Sequence, residues 1–246
     1  MGEPSLSIIL PVLNEARLLG DFLRHVRNVA PDAEIIVADG GSTDESATIA
    51  RSLADVVVTT AAGRGLQMNA GAAFARGEVL WFVHADLQLP TNAPGEIENA
   101  LRDPLVVGGC FRLRFPRRPM IYRVSDSLGN LGVDVFGFAL GDHAIFCRRQ
   151  GFEKTGGYRD LPILEDAELY LALRRLGRMK QLRPFVHCSP RAYERYGPYR
   201  TTASYFLILL LYVLGVPIAR LHVIYRWLRR ERVAGQEATF APAPQR

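Results

Sequence analysis

The chain has 246 residues, 48% of them hydrophobic, which suffices for one full core with an appendage and is too apolar for a disordered protein. A formal net charge of +5 conceals an asymmetry, since residues 1–100 carry 13 acidic and 6 basic side chains whereas residues 101–246 carry 12 and 24. The basic half has no helix-turn-helix, finger or aromatic-interleaved signature, which argues against nucleic acid as partner, and the widely spaced Cys110, Cys147 and Cys188 argue against a disulfide framework or a zinc site.

The N-terminal Met1-Gly-Glu-Pro-Ser has no basic n-region, so a secretory leader is not expected and a reducing cytoplasm fits the free cysteines. Leu6 to Val12 is a short apolar run bounded by Pro4 and Asn14, as a strand covered on both faces would be. Leu18, Leu19, Phe22, Leu23 and Val26 then recur at helical spacing up to Pro31. Glu34 to Ala38 reads as a second strand, Ser42-Thr-Asp-Glu as a capping-box entry to a second helix with Ile49 and Leu53, and Val56 to Thr60 as a third strand. A third helix is expected over Gln67–Ala75 and a fourth strand over Val79–Val83. The alternation βαβαβαβ implies a parallel sheet with right-handed crossovers. Further strands are expected over Val106–Phe115 and Gly141–Cys147.

Three polar motifs end these strands: Pro11-Val-Leu-Asn-Glu15, Asp39-Gly-Gly-Ser-Thr-Asp44 and His84-Ala-Asp86. In an open α/β sheet that edge is where ligands bind. A dinucleotide fold would need G-x-G-x-x-G after its first strand; that place reads Pro-Val-Leu-Asn-Glu, and the later Gly63-Arg-Gly65 has Met68 where the third glycine belongs. A nicotinamide or flavin enzyme is therefore not expected.

The three motifs followed by Leu164-Glu-Asp-Ala-Glu-Leu169, in that order, resemble the family-2 glycosyltransferases of GT-A fold over about residues 5–190, and within them a short bacterial subgroup associated with arsenosugar biosynthesis. The resemblance implies an α/β, Rossmann-like, mostly parallel sheet flanked by helices. It implies an inverting transfer of sugar from a nucleotide-diphosphate donor, such as a UDP-sugar, to a hydroxyl acceptor that is small or lipid-linked. Pro11, Asn14, Glu15, Asp39, Arg64 and Ala85 would bind the nucleotide, although Asn14 and Asp39 are equally at home as turn formers or caps. Asp44 is expected to cap the second helix. Asp86, with His84 where the family has a second aspartate, would hold Mg2+ or Mn2+ on the diphosphate. Asp166 would be the general base with Glu165 beside it, against the alternative that acids simply favour a helix N-terminus. Asp142 and His143 would contact the acceptor, and Arg112, Arg114, Arg117 and Arg118 would form a solvated basic rim.

Residues 205–219 are uncharged and precede Arg220, Arg226, Arg229, Arg230 and Arg232. Fifteen residues broken by Pro217 are short for a crossing. Two readings stay open: an interfacial helix on an anionic membrane, which would place the protein peripherally on the inner face of the plasma membrane, or a helix packed on the domain or across a homodimer. The expected organisation is a catalytic domain over 1–200, this hydrophobic and basic helical segment over 201–232, and a disordered tail over 233–246. The rival functions are a sugar-phosphate nucleotidyltransferase, whose glycine-rich basic first loop is missing, and a non-catalytic nucleotide-sugar-binding membrane scaffold.

Overall fold

The computed structural model describes residues 5–115 and 120–237. Strands β1 (Leu6–Val12), β2 (Glu34–Asp39), β3 (Val56–Thr59) and β4 (Val79–Phe82) alternate with helices α1 (Ala16–Val29), α2 (Ser46–Leu53) and α3 (Arg64–Phe74). The short β5 (Leu87–Gln88), α4 (Ala93–Leu101), β6 (Val106–Arg114) and α5 (Met120–Phe136) follow. Next come β7 (Phe146–Arg148), α6 (Arg149–Thr155), α7 (Glu165–Arg174) and β8 (Arg178–Cys188), then the helices α8 (Arg191–Tyr196), α9 (Pro198–Val213) and α10 (Ile218–Glu237). The eight strands form one sheet in the order β3-β2-β1-β4-β7-β6-β8-β5. The first four are parallel; β7 runs antiparallel to β4 and β6, β8 parallel to β6, and β5 antiparallel to β8.

Alternate residues of the central strands supply both faces of the core, as period-2 geometry requires. Ile8, Leu10, Ile35, Val37 and Trp81 pack with Leu19, Phe22, Leu23 and Val26 of α1 and Ile97 of α4. Ile9, Ile36, Leu80 and Phe82 pack on the other side with Met68 of α3, Phe152 of α6 and Leu169 and Leu173 of α7. Covered on both sides, β1 and β2 need no polar face, which is why residues 8–10 and 35–38 are apolar throughout, and the polar Ser7 and Glu34 within these strands are buried and bonded to each other. A third cluster joins Val133 of α5, Tyr170 of α7, Ile208 of α9 and Leu221 of α10, so the C-terminal helices are docked on the domain.

Several expectations shift. Gly141-Asp-His143 is a 3-10 turn ending on Ala144 at φ 48°, and only Phe146–Arg148 pair as strand. The turn is held to β6 by the His143 ring, whose Nδ1 lies 3.0 Å from the Phe111 carbonyl. The third helix starts three residues early, at Arg64, because Gln67 N–H closes the first turn on the Gly63 carbonyl. The second starts at Ser46, so Ser42 does not cap it. The apolar run 205–219 is not one helix: α9 and α10 form a hairpin that turns at Gly215 (φ 83°) and Pro217. Helix α10 extends to Glu237, into the segment expected to be unstructured, while 238–246, like Arg117 and Arg118, lie outside the described residues. No helix among the described residues is long and apolar enough to cross a membrane.

Candidate active site

The registers bring the polar motifs together. Val12 pairs with Asp39 and Ile9 with Phe82, so the loops after β1, β2 and β4 leave the sheet side by side. The buried Gln67 of α3 ties two of these ends: its Nε2 donates 2.8 Å bonds to the carbonyls of Val12 and Ala38.

The first two loops are knitted to each other. Asp39, buried at the end of β2, accepts from Gly41 N–H, Ser42 N–H and the Ser42 hydroxyl, the last at 2.5 Å. Asn14, at φ 55°, accepts from Thr43 N–H at 2.8 Å and donates its own N–H to Ser42 Oγ at 2.9 Å. Asp44 accepts from Ser46 N–H and Ala16 N–H, so it ties the starts of α1 and α2. Asparagine and aspartate thus serve as turn formers here, and the turns leave a preformed shelf over the strand ends. Pro11, half-buried, pairs with Ala38 beneath it, and Ala85 is buried between His84 and Asp86.

His84, Gly141 and Asp166 form the floor. A Cβ on Gly141 would stand 2.2 Å from His84 Nε2 and 2.6 Å from Asp166 Oδ2, so these two atoms face one another across the glycine. His84 Nε2 is sealed from water and has no hydrogen-bond partner; burial, then the nearby Arg64 charge, lowers the imidazole pKa to about 4 and leaves it neutral at pH 7. Asp166 sits in the first turn of α7 after Leu164 in the left-handed conformation (φ 63°). It is 6% exposed. Burial, then the neighbouring Glu165 carboxylate, pushes its pKa up to about 7, against the opposing pull of Arg64. The macrodipole alone would do the reverse, so burial outweighs it at this position.

Arg64 reaches Glu165 at 3.8 Å. Its helix is clamped to the segment before α7 by Asn69, which bonds both Tyr158 N–H and the Tyr158 carbonyl at 2.8 Å. The Tyr158 hydroxyl is sealed beside Asp166 without a well-formed hydrogen bond. Asp142 is exposed at the mouth, yet crowding by protein and the Asp86 charge push it up to about 6. His143 does not join the cleft: it is buried against β6, with its pKa lowered to about 4 by that burial. Strand β6 carries both Arg112 and Arg114, and the Arg114 guanidinium lies 3.5 Å over the ring of Phe185 on β8.

His84 and Asp86 offer one nitrogen and one carboxylate, a donor set that suits Mn2+ and, through the carboxylate, Mg2+. The orphaned Nε2 fits a ligand role. No group of three or more His, Cys, Asp or Glu that could hold a metal occurs among the described residues, so a cation here would complete its coordination with water or with oxygens of the ligand.

Sequence reasoning did not find Arg191. It bridges Glu15, at 2.9 and 3.3 Å, and Asp86, at 3.0 Å, from 176 and 105 residues away. The only trace is the register: Leu87 pairs with Cys188, which sets the start of α8 beside Asp86. Gln67 and Gly141 were also missed, since a helix glutamine and a turn glycine carry no pattern of their own.

The description Glycosyl transferase family 2 matches residues 7–158. An undecaprenyl-phosphate 4-deoxy-4-formamido-L-arabinose transferase of Pseudomonas fluorescens is 35% identical over 103 residues, covering 37% of this chain and 30% of that protein. A PGL/p-HBAD biosynthesis glycosyltransferase of Mycobacterium tuberculosis is 36% identical over 94 residues, covering 35% of this chain and 37% of that protein. The chain thus spans about a third of the length of these relatives. Among solved structures, mannosyltransferase PcManGT from Pyrobaculum calidifontis, in complex with GDP-Man and Mn2+, superposes with a TM-score of 0.64 at 19% identity, over 99% of this chain and 77% of that one. Glucosyl-3-phosphoglycerate synthase from M. tuberculosis, in complex with Mn2+ and UDP-glucose, gives 0.61 at 19% identity over 87% and 80%. At such identities the likeness is one of fold.

Proposed function

From the premise that this chain belongs to glycosyl transferase family 2 and has the GT-A fold, we propose that it transfers a sugar, with inversion, from a nucleoside-diphosphate donor to a hydroxyl acceptor. The observation that carries the proposal is Asp166: a buried carboxyl, its pKa pushed up to about 7, whose Oδ2 lies against Gly141 beside His84 Nε2. Base and ribose of the donor rest on the shelf of Asn14, Glu15 and Asp39, with Pro11 and Ala85 as its walls, and Arg64 donates to the diphosphate as a charge-assisted donor. Asp86 and His84 would hold a divalent cation, which when bound neutralises the charge developing on the leaving diphosphate.

Asp166 accepts the proton of the acceptor hydroxyl as that oxygen attacks the anomeric carbon from the face opposite the leaving group; a base of this kind contributes about 10²–10⁴-fold. The Glu165 carboxylate helps to raise the pKa of Asp166, and Asp142 faces the acceptor. The donors bound by the solved relatives, GDP-Man and UDP-glucose, support this donor class without choosing the base or sugar. The undecaprenyl-phosphate relative raises a phosphate acceptor. A phosphate oxygen is already ionised at neutral pH and needs no base, so a carboxylate poised near 7 favours a hydroxyl, on a small molecule or at the end of a lipid-linked one. The narrower likeness to the arsenosugar subgroup fits such a hydroxyl acceptor. Asp166→Asn abolishes transfer and leaves diphosphate affinity within about twofold; turnover near wild type refutes the assignment.

A second partner follows from α5. Its inner side buries Tyr122 and Val133 and carries polar contacts to β6, where Asn130 bonds Leu113 N–H (2.9 Å) and the Leu113 carbonyl (3.0 Å), and Asp126 accepts from Phe115 N–H (3.1 Å). Met120, Val124, Leu128, Leu131 and Val135 are left exposed along one stripe. Helix α9, packed against α5, exposes Phe206, Leu207, Leu210 and Val213, and α10 exposes Arg220, Arg226 and Trp227. We read this face as a seat on an anionic lipid surface. The protein should sediment with phosphatidylglycerol vesicles and less with phosphatidylcholine; no sedimentation, or a dimer that buries the face, contradicts it.

A further inference from the structure

Arg191 places a cation where the proposed function needs a different one. Its guanidinium spans Glu15 of the β1 loop and Asp86 of the β4 loop. Both carboxylates belong to the donor side of the cleft, and Asp86 is the residue assigned to the divalent cation. The cleft is rich in acids, with Glu15, Asp86, Asp142, Glu165 and Asp166 around Arg64 and Arg191, so a diphosphate entering alone meets repulsion.

The backbone of Arg191 is fixed while its side chain is not. Two residues on, Tyr193 is buried, bonded to Ser125 at 2.6 Å, and packed against Phe115, Tyr122 and Tyr205. The register Leu87↔Cys188 pins the strand that leads into α8. The Arg191 side chain itself is 46% exposed. It can therefore leave Asp86 by rotating its own stem, with no movement of helix or sheet.

We infer that Arg191 is the stand-in cation of the donor-free site: it holds Asp86 closed to a lone metal ion, and yields it when cation and diphosphate arrive together. The inference rests on the reading of this cleft as a nucleotide-sugar site. Its consequence is thermodynamic coupling. A cation arriving alone must displace a fork-held guanidinium, whereas a cation arriving with a diphosphate brings anionic oxygens to which that guanidinium can transfer. Each ligand then strengthens the other by the same factor. The general pairing of an arginine with a phosphate is not specific to this chain; the bridge that ties Arg191 to Asp86 before any ligand binds is what the structure adds.

The test measures free Mn2+ by electron paramagnetic resonance, without turnover, on wild type, Arg191→Ala and Arg191→Lys, each with and without UDP, GDP or dTDP. Circular dichroism melts confirm that each variant is folded. With no nucleotide, Arg191→Ala should bind Mn2+ about tenfold more tightly than wild type, because Asp86 is released from a competing positive charge. With the diphosphate that binds, the strengthening of Mn2+ by nucleotide should fall about tenfold or more in Arg191→Ala, with Arg191→Lys between, since lysine keeps the charge but not the fork. Equal Mn2+ affinity of wild type and Arg191→Ala in the absence of nucleotide overturns the inference. If wild type strengthens Mn2+ with one diphosphate and Arg191→Ala does so undiminished, the inference falls while the donor site stands. If wild type binds none of the three diphosphates, the donor site falls and takes the inference with it.

Discussion

Replacing Asp166 by asparagine should stabilise the protein while silencing it, and the gain should depend on pH. The carboxyl's pKa is raised in the folded state from 3.8 to about 7, chiefly by burial. A raised pKa means that folding opposes ionisation. Below about pH 4 both folded and unfolded chains carry the proton and the group costs nothing. Between about 4 and 7 only the unfolded chain ionises, and folded stability falls by about 1.4 kcal/mol per pH unit. Above 7 the loss levels off, at a ceiling of about 4 kcal/mol for a shift of roughly three units. Relaxation around the ionised group takes part of that, and about half, ~2 kcal/mol, corresponds to a rise in Tm of about 4–8 °C for a domain of this size. Calorimetric melts of wild type and Asp166→Asn at pH 8 and pH 5 read the difference directly. The variant should melt higher at pH 8, and the gap should shrink to less than half at pH 5. A variant no more stable than wild type at pH 8, or a gap that fails to narrow at pH 5, refutes the claim that burial and Glu165 raise the pKa of this carboxyl.

The same carboxyl sets the pH dependence of the rate: a base works only when ionised, so kcat should climb through about pH 7 and then level, and a rate that falls over that range contradicts the role. Gly141→Ala should fold, since Gly141 has no left-handed backbone requirement, but its methyl would press on His84 Nε2 at 2.2 Å and Asp166 Oδ2 at 2.6 Å; kcat should drop about 100-fold or more, and unchanged kcat shows the floor is misassigned. Gln67→Leu removes both 2.8 Å bonds to the Val12 and Ala38 carbonyls; the Val12 carbonyl still accepts from Gly40 N–H, so the loss should cost about 1–3 kcal/mol, read from the urea midpoint, and a loss under about 0.5 kcal/mol means water or other groups replace the amide.

The first third of the chain, up to β4, was legible because its central strands are covered on both sides. Ile8 to Leu10 and Ile35 to Val37 must then be apolar throughout, and the polar loops between them stand out. Those loops carry the site motifs, and the parallel pairing Val12↔Asp39 converts three separate stretches of sequence into one edge. Helix α5 was not legible for the opposite reason. Its inner side mixes the buried Tyr122 and Val133 with Asp126 and Asn130, which bond the backbone of β6, while a second apolar stripe is left exposed, so no single apolar face stands out in the sequence. The strand expected at Gly141 is a turn held to β6 through the buried His143, and it brings the Gly141 backbone against His84 and Asp166, a tertiary contact that carries no local sequence signal. Arg191 was invisible because its partners are 105 and 176 residues away and are joined to it only by the pairing of β5 with β8. The dual nature of Asn14 and Asp39 resolves in part: both form turns, and the turns build the shelf on which a nucleoside is proposed to rest.

Isothermal titration calorimetry of wild type with UDP, GDP and dTDP, each with and without Mn2+, and of Asp86→Ala with the diphosphate that binds, tests the central claim most directly. The account predicts that one diphosphate binds in a Mn2+-dependent manner and that Asp86→Ala loses the dependence. Failure of all three to bind wild type under either condition contradicts a nucleotide-sugar site at these strand ends.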